Sequence, residues 1–313
     1  MPFTIETSNI SKSYGSFRAI DGVTLQVSQG EIYGFIGLNG AGKTTMMRML
    51  LNMIKPNAGK AMLLGQDVQQ VPAQFWNNVG YLIETPHSYQ NLTVEQNLNL
   101  YGQLRLIPTQ QRMQRIEYLM DQLDLTPYRN KRVKDLSLGN NQKIGLIKAL
   151  IHQPKILLLD EPTNGLDPEG LSRVRQLLTH LATDEGVTIL ISSHILNEME
   201  KMFTSFGILD HGHLLLQGSR NQYLQQASHK TVIKFQTISD ADAAKTIFQS
   251  QSVQWSADDR SNATIQLNEC TDQSQKIQAL ITNHIVPMDW HEEIESMEDY
   301  FLATLRKEAN KHV

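Results

Sequence analysis

Gly37-Leu38-Asn39-Gly40-Ala41-Gly42-Lys43-Thr44, running on into Thr45, is the stretch from which the fold can be read. It fits the spacing G-x-x-x-x-G-K-[ST]. Glycines at 37, 40 and 42 let backbone N–H groups turn inward around phosphate oxygens. Upstream, Glu31-Ile-Tyr-Gly-Phe-Ile36 has the apolar, β-branched texture of a buried strand. Downstream, Thr44 to Leu51 reads as a helix whose positive end points at the same place. Residues 37 to 45 are therefore expected to surround phosphate. Lys43 would reach the β- and γ-phosphates, and the Thr44 hydroxyl would ligate magnesium. Four fixed positions of this kind arise by chance in about one chain in a hundred, and the strand before and helix after reduce that further. Alone, the loop says only that a nucleotide phosphate binds; kinases, GTPases and many ATPases share it.

Outward from the loop, strand-like and helix-like runs alternate over the first ~220 residues, which predicts α/β layering. Ile156–Leu159 and Val187–Ser192 read as further buried strands. The first of them ends in Asp160-Glu161. Successive strand residues face opposite ways, so the two carboxylates are expected to do different work. Asp160 would hold magnesium through water, and Glu161 would polarise an attacking water. The alternative, that Asp160-Glu161-Pro162 merely starts a surface turn, weakens beside a phosphate loop, because magnesium with ATP needs an oxygen ligand of this kind.

The texture changes near Gly218. Thr231–Phe235 and Ala263–Leu267 alternate at period two as half-buried strands, and Ala241–Phe248 and Gln275–Ile281 look helical. Residues 1–220 and 221–313 are thus expected to form a nucleotide-binding domain and a small C-terminal α+β appendage. Ser296, with Asp299 three residues on, predicts a capped final helix.

Composition narrows the function. Lys and Arg total 28 against 32 Asp and Glu, a net charge of −4, so nothing basic follows a nucleic-acid backbone. A single cysteine, Cys270, excludes a disulfide within the chain and suits a reducing cytosol. The start of the chain carries no signal-peptide pattern. No run approaches the ~20 apolar residues of a membrane helix. In a cytosolic protein the sequons Asn91-Leu-Thr93 and Asn262-Ala-Thr264 carry no meaning.

Leu136-Ser-Leu-Gly-Asn140 lies 23 residues ahead of Asp160, counted from Ser137. It resembles the L-S-G-G-Q signature of ABC ATPases. Around it stand Tyr14 in Lys-Ser-Tyr-Gly, the loop Gly165-Leu-Asp167, and Ser192-Ser-His194, with His194 33 residues past Glu161. These motifs and the phosphate loop keep the family's order from about residue 4 to 220. The resemblance implies a P-loop ABC ATPase domain with a helical subdomain, using ATP and Mg2+. It implies stacking of adenine on Tyr14, γ-phosphate contacts from Ser137 and Gly139, a partner-subunit contact at Asp167 and a switch role for His194. It also implies a dimer with a second copy, ATP between the two, beneath separate membrane permease subunits on the cytoplasmic face of the membrane, with no nucleic-acid partner.

Three positions depart from the family pattern: Leu138 and Asn140 in the signature, and Glu84 where most members carry glutamine. A carboxylate at 84 could ligate magnesium directly, and would repel the γ-phosphate unless metal lies between; drift to a near-isostere is the alternative. Glu84, Ser-Leu-Gly in the signature and the C-terminal Ser296-Met-Glu-Asp-Tyr-Phe-Leu302 together resemble the bacitracin-resistance and lantibiotic-immunity subgroup. That implies protection from peptide antibiotics. An importer ATPase or an ABC ATPase that moves no solute are the alternatives; the 94 residues from Lys43 to Ser137 show no sustained heptads of the kind non-transport relatives insert. The segment from Pro86 to Leu106, with Thr93 as helix cap and Gln96 three residues on, is where the permease is expected to dock.

Overall fold

The computed structural model of the chain describes residues 3–84, 86–193, 200–227, 229–248, 253–257, 263–268 and 273–311. The chain divides into two compact units, Met1–Arg220 and Asn221–Val313.

The first unit begins with a β-hairpin, β1 (Ile5–Tyr14) and β2 (Phe17–Val27). Val23, Leu25 and Val27 turn inward while Thr24 and Gln26 face out, the period-two pattern of a sheet with one wet face. Then come β3 (Ile32–Ile36), α1 (Lys43–Leu50), β4 (Ala58–Leu63), β5 (Gln66–Asp67) and β6 (Val79–Leu82). Three helices follow, α2 (Val94–Leu104), α3 (Thr109–Gln122) and α4 (Leu138–Leu150). The unit closes with β7 (Ile156–Asp160), α5 (Pro168–Thr183), β8 (Thr188–Ser193), β9 (Ser205–Asp210) and β10 (His213–Ser219).

Two sheets result. The antiparallel one has the order β2-β1-β4-β5, and the larger one β10-β9-β3-β8-β7-β6. In the larger sheet all neighbours are parallel except β9 and β10. Strands β3, β7 and β8 are buried at every residue, as strands covered on both faces must be. One core fills the space between the sheets around α1, where Met46, Met47, Met49 and Leu50 meet Ile5, Leu25, Phe35 and Leu158. That core holds the start of α1 at the carboxyl ends of the parallel strands, where such folds place ligands.

Helix α2 opens with the expected capping box: Gln96 N–H donates to Thr93 Oγ1 at 3.2 Å, and Thr93 N–H donates to Gln96 Oε1 at 2.9 Å. Helix α4 is buried around most of its girth, from Gly139 to Leu150. It approaches β6 closely enough that a Cβ on Gly80 would lie 2.0 Å from the Ala149 carbonyl oxygen. Only glycine fits there.

The second unit folds as strand, helix, two strands, helix, strand, the split βαβ arrangement. Its antiparallel sheet orders Val253–Ala257, Ala263–Asn268, His229–Phe235 and Asp289–Ile294 side by side. Ile233, Phe235 and Ile265 pack against Ala241, Ala244 and Leu280 of the helices Ile238–Ile247 and Gln273–Thr282. Ser296 caps the last helix, Met297–Lys311, by accepting from Asp299 N–H at 3.1 Å.

Candidate nucleotide site

Between β3 and α1 the loop 37–42 wraps a cavity lined by Asn39, Gly40, Ala41, Gly42, Lys43, Thr44, Thr45, Asp160 and Glu161. The glycines are sterically required. Gly42, just before α1, has φ 112°, and a Cβ there would meet the Ala19 carbonyl oxygen at 2.4 Å. Lys43 is buried, and its ammonium donates to the carbonyl oxygens of Gly37 at 2.6 Å and Leu38 at 3.2 Å. It lies 4.0 Å from Glu161 Oε1. Burial lowers its pKa, and the opposing charges of Glu161 and Asp160 partly restore it. The loop thus holds a cation under tension between desolvation and two carboxylates, a charge that an incoming phosphate would complement.

Asp160 ends β7, and Thr44 Oγ1 donates to its Oδ2 at 2.6 Å across 116 residues of chain. Ser192, opposite it in the register on β8, donates to the other carboxylate oxygen. The hydroxyl and carboxylate of Thr44 and Asp160 form a pair of hard oxygens. That donor set fits magnesium, which takes one or two protein ligands and keeps water and phosphate for the rest.

Glu161 differs from the expectation that pleating alone separates it from Asp160. It has left the strand, with φ 50°, yet it still lines the same cavity as Asp160. Its backbone is clamped: its N–H reaches Ser192 Oγ at 3.1 Å, and its carbonyl accepts from Gln142 Nε2 of α4 at 3.0 Å. A non-glycine residue in the left-handed region persists when surroundings over-determine it. Gln142 was not legible as a site residue. Only its position one helical turn beyond Leu138 could have suggested it.

Of the signature residues, Leu138 lines a cavity with Asp160 and Glu161, and the others sit apart. Ser137, Gly139, Asn140 and Lys143 line a second cavity with Asp124, Tyr128, Gly165, Leu166 and Asp167. It shares no residue with the phosphate-loop cavity. Two helices begin at its wall. Ser137 caps α4 by accepting from Asn140 N–H at 3.2 Å, and Asp167 caps α5 by accepting from Gly170 N–H at 3.1 Å. Leu138, at the departed signature position, is exposed and lies against Gly165, whose Cβ, if present, would come within 2.7 Å of Leu138 Cδ2.

The remaining expected residues are placed as follows. Tyr14 is exposed at the end of β1 with the Lys12 ammonium 5.3 Å from its ring centre. It does not line the phosphate-loop cavity, but Phe17, its partner across the hairpin, does. Glu84 pairs with Arg48 of α1 and lines a third cavity with Asp160 and Glu161. His194 lies outside the described residues.

A phosphate loop entering a helix, an acidic strand end beside it and a doubly covered parallel sheet define a P-loop nucleotide hydrolase. The comparisons name the class further. The family model described as ABC transporter matches residues 20–164. The ABC transporter ATP-binding protein YcbN of Bacillus subtilis (strain 168) is 33% identical over 314 residues, covering 97% of this chain and 98% of that relative. The bacitracin transport ATP-binding protein BcrA of Bacillus licheniformis is 40% identical over 215 residues, 69% of each chain. Among solved structures, an ATP-binding subunit of an ABC transporter matches with TM-score 0.66 and 28% identity over 71% of this chain and 92% of that one. The ATP-binding cassette MJ0796, bound to ADP and Pi, matches in fold with TM-score 0.63 and 22% identity over 69% of this chain and 98% of that one. The chain therefore belongs to the ATP-binding subunits of ABC transporters. It is an ATPase. Among the described residues no helix is long and apolar enough to cross a membrane.

Proposed function

We propose that this ATPase drives the export of a peptide antibiotic, or immunity to one, through a separate membrane permease. Its similarity to a bacitracin transport ATP-binding protein over 215 residues is the observation that carries this reading. In the proposed mechanism Thr44 and Asp160 hold magnesium on ATP. Magnesium would neutralise the charge that develops on the transferring phosphoryl group. Lys43 pairs with the β- and γ-phosphates, and Phe17 and Tyr14 at the hairpin offer aromatic faces to the base. Glu161 orients and deprotonates the attacking water, with His194 as its partner in positioning. A role for Glu161 as base accords with its clamped backbone and with its place 4.0 Å from Lys43.

Ser137 and Gly139 would complete the site of a second copy. Because the two cavities share no lining residue, one chain offers two half-sites, and a head-to-tail dimer with ATP between the copies uses both. Release after hydrolysis would then be the stroke delivered to the permease, with α2 and the residues ahead of it as the docking surface at the cytoplasmic side of the membrane.

The test is a resistance assay. The ATPase, expressed with the permease genes beside it in a sensitive bacterium, should raise the inhibitory concentration of bacitracin or a lantibiotic several-fold, and Glu161→Gln should abolish the gain. Full resistance retained by Glu161→Gln would remove ATP hydrolysis from the mechanism. No resistance with confirmed expression would remove peptide antibiotics as the substrate class.

A further inference from the structure

Glu84 stands where its carboxylate faces two competing claims. It lines a cavity with Asp160 and Glu161, close to where the phosphates of ATP would lie, yet it is ion-paired with Arg48. Arg48 is on α1, one turn beyond Thr44, so the metal-binding hydroxyl and this guanidinium belong to one helix, which the phosphate loop enters. Two residues before and two residues after Glu84, the chain packs against α4. Leu82 and Pro86 both press on Gly145 of α4, where a Cβ would lie 2.8 Å from Leu82 Cδ1 and 2.6 Å from Pro86 Cγ. Glu84 itself has φ 62°, a left-handed conformation costly for a residue with a side chain. The carboxylate is thus presented from this turn and paired with Arg48.

A carboxylate beside a γ-phosphate repels it unless a cation stands between. The structure places a cation of the protein itself beside this carboxylate, though Arg48 lines neither cavity. We propose that Arg48 is a positioning residue that serves as resident counter-ion to Glu84: it neutralises and holds back the carboxylate when no metal is bound, and releases it toward magnesium when Mg-ATP arrives. This inference rests on the magnesium–ATP reading of the site. Arg48 needs to touch neither nucleotide nor metal; it acts through Glu84. Removing it should leave metal-free ATP facing an uncompensated negative charge, while metal-bound ATP still finds a willing ligand in Glu84.

The observable is therefore the dependence of ATP affinity on metal, not turnover. On a Glu161→Gln background, Kd for ATP is measured by calorimetry with excess magnesium and again with EDTA. Arg48→Gln should raise the ratio of metal-free to metal-bound Kd by about fivefold, the upper range for a partly exposed pair. Arg48→Lys, which keeps the charge, should hold the ratio near the parent's. In a chain that also carries Glu84→Gln, the Arg48→Gln effect should vanish, because the charge it offsets is gone. An unchanged ratio in Arg48→Gln, or the same rise with Glu84→Gln present, overturns the proposal. A parent chain that binds no ATP under either condition overturns the underlying reading instead, so the two failures are distinguishable.

Discussion

The phosphate-loop cavity and the signature cavity are built differently. The first brings together a buried ammonium, a metal-fitting hydroxyl–carboxylate pair, and a glutamate just past its strand. The second also holds a buried ammonium, that of Lys143, but its two helix-capping residues have little left to offer a ligand. Ser137 and Asp167 already accept from the first turns of α4 and α5, so what they leave to a ligand is chiefly the exposed N–H groups and positive ends of two helices. Helix ends of this kind contribute ~0.3–1 kcal/mol each toward an anion at an exposed site. The first cavity therefore has what it takes to hold nucleotide unaided. The second suits an anion already held by something else, which is what a second copy would present.

The largest expected effect breaks the comparison at its strong side. Lys43→Ala should weaken ATP binding about a hundredfold, the loss of roughly 2–3 kcal/mol for a charge-assisted contact in a buried site, measured by calorimetry. Affinity within twofold of the parent would show that the ammonium is not what the cavity binds with. Ser137→Ala strikes the weak side. It should leave the affinity of an isolated chain unchanged, lower Tm through loss of a cap worth ~1 kcal/mol, and cut turnover at dimer-forming concentrations by about tenfold. A fall in affinity as large as that of Lys43→Ala would mean the two cavities are one site.

The smallest effect concerns the support beneath both. His152, just past the end of α4, has Nε2 3.0 Å from the Val79 carbonyl oxygen of β6, and its buried Nδ1 has no partner among the described residues. Burial, then the charge of Arg105, pushes its pKa down to about 4, against a small upward pull from the Val79 contact. The unfolded chain binds this proton near pH 6.5 and the folded chain does so only near 4. Stability should therefore be complete above the unfolded value and decline as pH falls from 6.5 to 4. His152→Gln should flatten that part of a Tm-against-pH profile, and an identical profile would show that His152 protonates freely in the folded state.

Much of the site could be read from sequence because phosphate chemistry fixes spacing. Gly37 to Thr44 must follow a strand and open a helix, and they do. Asp160 ends its strand as read, and Thr93 and Ser296 cap their helices as read. What escaped was whatever depends on distant parts of the chain meeting. Arg48 and Glu84 are 36 residues apart, and no periodicity links them. Gln142 reaches the Glu161 carbonyl only because α4 lies along β6 and β7. Phe17 reaches the cavity through a tight hairpin turn at Gly15. Strand alternation was expected to separate Asp160 from Glu161, but Glu161 lies past the strand with a reversed φ that no local pattern announces, and the two line one cavity. The antiparallel sheet of β1, β2 and β4 was also missed, since Ser8-Asn9 and Ser11-Lys12-Ser13 break the alternation with bulges.

The contact between β6 and α4 has a mechanical meaning. Gly80 meets the carbonyl of Ala149 at one end, and Gly145 takes the side chains of Leu82 and Pro86 further along. Helix α4 extends about 20 Å from there to its cap at Ser137. A helix packed this closely at one end would follow β6, so a shift of that strand would carry the cap at Ser137 with it.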